Sequence, residues 1–391
     1  MKAQEIKKDI YFVGAKDWNI RDFHGYKVPR GTSYNAYLII DEKITLVDTV
    51  KAPFSQELLT KIKSIIDPTK IDYLICNHVE MDHSSSMPAV LEQTKNATVI
   101  TDMQGKNSLA QHYDTSDWKI EVVKTGDTLN IGKRTLSFVQ TPMLHWPDSM
   151  VTYIEQDKLL LPNDGFGQHI AADSIFANEN PMDIIFEEAK SYYANILFPF
   201  PKQTFNALEV LQNLEIDMIA PAHGCIWQKD EVKKIQELYN DWASGKNENK
   251  AVIIYDTMWG STEKMARSIE LELESHNIKV AVKNLKEVDV SEIMTELIDS
   301  KYVIIGCSVL NNQILPKMAG FLNYMQGLKP HDKIGFSFGS YGWAKGVLDQ
   351  LQQPFEALNF ETPVDSFTCQ YVPTEEDLNE LQNKIKELVK K

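Results

Sequence analysis

Residues 71–76, I-D-Y-L-I-C, run through Asn77 into residues 78–83, H-V-E-M-D-H. The first six read as a buried strand, and the next six hold two imidazoles and two carboxylates. A metal ion needs ligands fixed on rigid supports, and strand ends provide them. Three more apolar runs lead into a residue of the same kind. Residues 135–140 lead through T-P-M-L to His145, L159-L-L-P162 leads to Asp164, and M218-I-A-P-A222 leads to His223. Each has a plainer reading alone: a histidine near a Pro or Gly turn commonly serves as a loop hydrogen-bonding group, and N-D-G is ordinary turn chemistry. The coincidence of all four strand ends points to a binuclear metal site.

Spacing divides the ligands. In an extended loop, residues i and i+2 point the same way, so His78 and Glu80 can share one metal. Asp82 and His83 turn toward a second. His145 and His223 supply one further imidazole each, and Asp164, with two oxygens, is the natural bridge. The pattern resembles the metallo-β-lactamase fold, whose zinc hydrolases carry H-x-H-x-D-H. Here the second position is Glu80. A hard anionic oxygen in place of an imidazole shifts the preference from zinc toward iron or manganese, and with it the expectation from hydrolysis to redox chemistry.

Composition agrees with a soluble enzyme. The chain has 391 residues, enough for two domains. The formal charge is −15, which argues against non-specific binding of nucleic acid. No apolar run approaches the roughly 20 residues of a membrane span, and the start has no signal-peptide core. Cys76, Cys225, Cys307 and Cys369 are far apart and form no C-x-x-C pair, which excludes a disulfide framework or an iron–sulfur centre. Buried free thiols at Cys76 and Cys307, and the cytoplasm, are expected.

The polar stretch 241–250 reads as a linker. It separates an N-terminal domain, residues 1–248, from a C-terminal one, residues 249–391. Before it, strands come in clusters (10–13, 37–40, 44–47, 72–76, 98–101, 135–140, 150–154, 158–161 and 218–220) with helices such as 54–66 and 205–214 between them. This predicts an α/β sandwich of two sheets covered by helices. After it, strands 251–255, 279–283, 302–306, 333–337 and 366–370 alternate with helical stretches, which predicts a doubly wound parallel sheet of five strands.

Three loops of the second half lie where such sheets bind ligands, at the carboxyl ends of strands. I253-I-Y-D-T-M-W-G-S-T-E-K-M-A266 joins a strand to a helix. Thr257, Ser261 and Thr262 offer hydroxyls, and the loop amides with the helix N-terminus favour an anion. No Walker lysine pattern or G-x-G-x-x-G is present, so a P-loop NTPase and a Rossmann site are disfavoured. The stretch resembles the flavodoxin phosphate loop at Thr257, Gly260, Thr262 and Ala266. The candidate FMN-binding set is Thr257, Met258, Trp259, Gly260, Ser261 and Thr262; Ser308, Val309, Leu310, Asn311 and Asn312; and Gly339, Ser340, Tyr341, Gly342 and Trp343. Gly339 and Gly342 would admit close backbone approach, and Tyr341 and Trp343 offer faces for a flat ring.

An H-x-E-x-D-H metallo-β-lactamase-like half followed by a flavodoxin-like half resembles the flavodiiron proteins (A-type flavoproteins) over nearly the whole chain. The resemblance implies an N-terminal metallo-β-lactamase-like αββα sandwich and a C-terminal flavodoxin-like domain. It implies two irons per chain, one held by His78, Glu80 and His145, the other by Asp82, His83 and His223, with Asp164 bridging. It implies reduction of dioxygen to water, of nitric oxide to nitrous oxide, or both, with electrons delivered through FMN. It also implies a head-to-tail homodimer or a dimer of dimers. With no reductase or rubredoxin domain appended in this sequence, a separate electron donor is expected: rubredoxin, with a deazaflavin or a flavin reductase as alternatives. By the same resemblance His24, in D22-F-H-G-Y26, and Tyr193, or its neighbour Tyr192, are candidates for proton delivery. The rival readings are a two-zinc hydrolase and a flavin electron carrier with a degenerate metal site. Glu80, the complete ligand set and the intact phosphate loop weigh against both.

Overall fold

Seven strands form the first sheet of the N-terminal half, in the order Gln4–Lys7, Ile10–Phe12, Tyr37–Ile39, Ile44–Val47, Ile71–Ile75, Thr98–Thr101 and Lys119–Val122. The last four are mutually parallel. Six strands form the second: Thr128–Asn130, Thr135–Gln140, Met150–Ile154, Leu159–Leu161, Met218–Ile219 and Trp227–Gln228. The computed structural model describes residues 2–94 and 96–390. Ile39, Val47, Ile75 and Ile100 from the first sheet share one core with Leu136, Phe138, Ile154 and Leu161 from the second. That shared apolar layer is the reason the strands read as nearly continuous hydrophobic runs. With helices Ser55–Lys63, Met87–Thr94, Met103–His112, Met182–Tyr192 and Pro201–Leu211, this is the expected metallo-β-lactamase-like sandwich. Two short hairpins, Ala15–Asp17 with Thr32–Tyr34 and Asp22–Phe23 with Tyr26–Lys27, have no counterpart in the sequence reading. Their strands are too short to show a period.

In the C-terminal half five parallel strands lie in the order Lys279–Asn284, Glu248–Tyr255, Ser300–Leu310, Ile334–Tyr341 and Phe367–Gln370. This is the doubly wound flavodoxin-like order, with helices Ser261–Ser275, Val290–Leu297, Pro316–Leu328 and Glu375–Val389. Two strands run further than expected. Ser300–Leu310 continues past Cys307 and turns back through Asn311 and Asn312 to pair Leu310 with Gln313 and Val309 with Ile314. Both asparagines have positive φ, 51° and 56°, the paired left-handed conformation of a tight hairpin turn. Ile334–Tyr341 likewise absorbs residues read as a loop.

By internal contacts the chain divides into two units, Met1–Tyr192 with Phe200–Asn240, and Tyr193–Pro199 with Asp241–Lys391. The linker reading at 241–250 is too long. A helix continues through Ala243, whose neighbour Trp242 is buried, and the next strand begins at Glu248. Only residues 244–247 are left between them. Polarity misleads there because Lys250 pairs with Glu296 and Asp299 inside the second unit. All four cysteines are buried free thiols. Among the described residues no helix is long and apolar enough to cross a membrane.

Candidate metal centre and flavin cavity

After Ile75 the chain keeps Val79 fully buried and turns His78 and Glu80 to the same side. His78 Nε2 lies 3.3 Å from Glu80 Oε2. Glu80 ends the extended segment, and Met81–Ser84 forms one helical turn that carries Asp82 and His83 the other way. The i, i+2 pair and the adjacent pair therefore serve different positions. His145 Nε2 reaches Glu80 Oε2 at 3.1 Å, and His223 Nε2 reaches Asp82 Oδ2 at 3.1 Å.

Asp164 lies between the two groups and offers one oxygen to each. Its Oδ2 is 3.6 Å from His78 Nε2 and 3.4 Å from His145 Nε2. Its Oδ1 is 3.0 Å from His83 Nε2 and 3.4 Å from His223 Nε2. The potential ligand atoms form two clusters, His78, Glu80, His145 and Asp164, and Asp82, His83 and His223. Among the described residues the buried atoms Asp82 Oδ1, His83 Nδ1 and Asp164 Oδ2 have no hydrogen-bond partner. Buried polar atoms are costly to leave unpaired, and one cation at each cluster would satisfy the carboxylates.

Electrostatics agree. Burial pulls the His83 imidazole down, but Asp82 and Asp164 outweigh it and hold its pKa up, at about 9. Burial opposes the same rise at His145, where Asp164 and Glu80 carry it to about 9. Burial raises the Asp164 carboxyl, yet His83, His145 and His78 hold it well below the usual range. Without metal, protons carried on the imidazoles balance these carboxylates; a cation can take their place.

The supports behind the ligands are specific. His78 Nδ1 is 3.0 Å from Asp148 Oδ2, which also accepts the Val79 amide at 2.7 Å. His223 Nδ1 donates to the Ser33 carbonyl at 2.7 Å. Asp48, buried at a strand end, accepts from the Asn77 amide at 2.8 Å and from the Asn163 side chain at 3.1 Å. It thus ties the loop before His78 to the one before Asp164. His24 Nε2 is 2.8 Å from Glu80 Oε1, and this hydrogen bond raises the His24 pKa. Tyr192, not Tyr193, stands beside the histidines: its ring centroid is 6.0 Å from His223 and 5.0 Å from His169. Tyr193 packs on Trp242 at 5.3 Å within the second unit. The chain changes course there, with the Phe198 amide bonding back to the Tyr193 carbonyl. A sequence cannot tell which of two adjacent tyrosines faces inward at such a wide turn. Asp48, Asp148 and His169 were missed; Asp148, in H145-W-P-D148, carried the one readable signal, its nearness to a ligand.

In the second unit a cavity of about 510 Å³ opens at the carboxyl ends of the strands. Thr257, Met258, Trp259, Ser261, residues 308–312, Ser340, Tyr341, Gly342 and Trp343 line it, joined by Ala344 and Tyr371. Gly260, Thr262 and Gly339, grouped with them by the sequence, do not. Thr262 is fully buried with its hydroxyl 3.3 Å from Ser340 Oγ. A Cβ on Gly339 would meet the Cys307 carbonyl at 2.4 Å, so sheet packing requires that glycine. Gly260 takes φ 86° to start the helix. Among the described residues Ser308 Oγ, buried against the cavity, has no hydrogen-bond partner. Trp259 and Trp343 are 93% and 86% exposed at the rim, unusual for large aromatics with nothing to cover. An apolar cavity with a few hydroxyls and a helix N-terminus suits a flat ring carrying a phosphate.

Comparison with known proteins agrees with both halves. The family described as ODP family beta lactamase matches residues 32–224, and the flavodoxin family matches residues 253–384. A nitric oxide reductase of Moorella thermoacetica is 46% identical over 95% of this chain and 94% of its own. The solved rubredoxin oxygen:oxidoreductase of Desulfovibrio gigas is 42% identical, with a TM-score of 0.97 over 99% of this chain and 98% of its own. The flavodiiron protein of Giardia intestinalis is 34% identical, with a TM-score of 0.97 over 100% of this chain and 96% of its own.

Proposed function

This chain belongs to the flavodiiron proteins, and from that membership we propose that it is an oxidoreductase reducing dioxygen to water, nitric oxide to nitrous oxide, or both, at a diiron centre supplied through FMN. The observation that carries the reading is the pair of ligand clusters joined by one carboxylate. His78, Glu80 and His145 would hold one iron, Asp82, His83 and His223 the other, with Asp164 Oδ2 and Oδ1 turned to each. The residues that line the cavity would hold the FMN, Ser261 and the helix N-terminus offering donors suited to a phosphate and the exposed tryptophans offering faces suited to a flat ring. When bound, the pair of ferrous ions would supply two electrons together and reduced FMN two more, enough for the four-electron reduction of dioxygen or the two-electron coupling of nitric oxide.

The protein's own groups do the rest. His24, with its side chain 68% exposed and its ring nitrogen on Glu80, joins solvent to the site and can carry a proton inward. Phe23, Tyr26 and Tyr192 stack around buried His169 and exclude bulk water from the His223 side. The two-zinc hydrolase reading is weaker, since Glu80 gives the first position an anionic oxygen where a zinc hydrolase has an imidazole.

We also propose a metal-binding domain over residues 1–248 and a flavin-binding domain over residues 249–391, a cytoplasmic location, a rubredoxin-type electron donor and a head-to-tail homodimer that brings one chain's FMN to its partner's irons. The names of the relatives support the donor and the gases. Purified protein should contain two irons and one FMN per chain. It should consume dioxygen or nitric oxide when reduced rubredoxin is supplied. Zinc in place of iron, or bound flavin without gas turnover, would overturn the proposal. Rates with each gas at matched donor concentration identify the preferred one.

A further inference from the structure

The two metal positions have equivalent inner ligands, two imidazoles and one carboxylate each, with Asp164 shared. What stands behind those ligands is unequal. On the His78 side the imidazole is backed by a carboxylate, Asp148, 1% exposed and itself anchored by the Val79 amide. Glu80 turns Oε2 to the imidazoles while its other oxygen is held by His24. On the His83 side the acceptor behind His223 is a neutral carbonyl, that of Ser33. Nothing among the described residues accepts from His83 Nδ1, and Asp82 Oδ1 has no donor.

These differences act in one direction. A carboxylate behind an imidazole raises its basicity more than a carbonyl does, because the charge-assisted bond is the stronger one. It also fixes which ring nitrogen faces the metal. A ligand whose outer atom is already bonded loses less freedom on binding a cation. With inner ligands matched, the outer partners decide.

We infer that the two positions bind metal unequally, that the His78–Glu80–His145 position fills first and holds its ion more tightly, and that Asp148 is the positioning residue responsible for much of the difference. The inference rests on the dinuclear reading above but goes beyond it, since that reading is satisfied by either order.

Metal-free full-length protein titrated with Co(II) tests it. Two equivalents should bind, the first at least about 10-fold tighter than the second. Crystals grown with one equivalent should show anomalous scattering concentrated at the His78–Glu80–His145 position. The one-equivalent protein should show a paramagnetically shifted, exchange-protected ring N–H from His78 held by Asp148. Asp148→Asn should lower the first affinity by about 10–100-fold, the range for outer partners of metal ligands, and leave the second within about threefold. Its His78 ring proton should exchange quickly, and Asp148→Glu should restore part of the affinity. Equal occupancy of the two positions at one equivalent, or first filling at Asp82–His83–His223, overturns the inference. So does an Asp148→Asn protein whose first affinity is unchanged, or in which both affinities fall equally. Should that variant fail to fold, the wild-type occupancies decide alone. Binding of fewer than two ions contradicts the dinuclear reading and the order with it, whereas two ions bound in the wrong order contradicts the order alone.

Discussion

The metal centre and the flavin cavity are built from opposite materials. The first is a set of buried, ionisable side chains that face one another across distances of 3.0–3.6 Å, with acceptors such as Asp148 behind them. The second is made of strand-end backbone, a helix N-terminus and side chains at a rim where two tryptophans stand exposed. Buried charge tolerates few alternatives: an unpaired carboxylate there is so unfavourable that its presence nearly announces a partner. A cavity edged by backbone tolerates many sequences. One region should therefore respond sharply to charge and pH, and the other to packing and to the shape of a loop.

The largest expected contrast is with pH. In metal-free protein His78, His83 and His145 are held protonated above their ordinary range. Loading the pair of ions from neutral solution must then release up to three protons, so the overall affinity should rise by up to about a thousandfold per pH unit below about pH 9. Flavin affinity should stay nearly flat from pH 7 to 9. Calorimetric titration in buffers of different ionisation enthalpy counts the protons, and release of none would break the contrast. The sign for stability follows from the same shifts. A raised histidine stabilises the metal-free fold fully below its unfolded pKa, near 6.5, and that stability is lost as pH rises through about 9. Thermal melts of metal-free protein should fall over that window, while iron-loaded protein should not.

Next in size is the bridge. Asp164→Ala should weaken both ions by more than about 100-fold, beyond the effect of an outer partner, and leave FMN at full stoichiometry. Elemental analysis with a flavin spectrum checks it; loss of flavin along with the metal would mean the two regions are not independent. The reciprocal change, Ser261→Ala with Thr257→Ala, removes two side-chain hydroxyls from residues that line the cavity, each worth about 1.5–3 kcal/mol toward a charged partner. FMN should then dissociate on gel filtration while iron stays. The smallest effect is expected at His24. His24→Ala should keep both metals with affinity reduced only a few-fold, because its side chain is largely exposed and such pairs contribute little. A large loss of iron in that variant would show that the hairpin tip is part of the cradle itself.

The same contrast explains what could be read in advance. All seven candidate ligands were legible because each follows an apolar strand, and a strand end fixes direction. The grouping of His78 with Glu80 and of Asp82 with His83 was legible because an extended segment and a helical turn have different periods. In the flavin half the loops were legible but the individual atoms were not. Gly339 serves strand packing, Thr262 turns to Ser340, and Tyr371, from the loop after the last strand, joins the cavity through tertiary placement alone. The short hairpin that presents His24 and the inward choice of Tyr192 over Tyr193 were beyond local pattern as well. Both depend on long-range packing that neither strand nor helix period records.

The central claim is that the two regions form one electron path ending at the metals. A single-turnover experiment tests it most directly. Protein loaded with two irons and FMN is fully reduced without air and mixed with one equivalent of dioxygen per chain. Flavin and iron oxidation states are then followed together with hydrogen peroxide. Flavin and both irons should be oxidised together, with all the dioxygen consumed and no peroxide released. Peroxide in proportion to flavin oxidation, with the irons still ferrous, would contradict it.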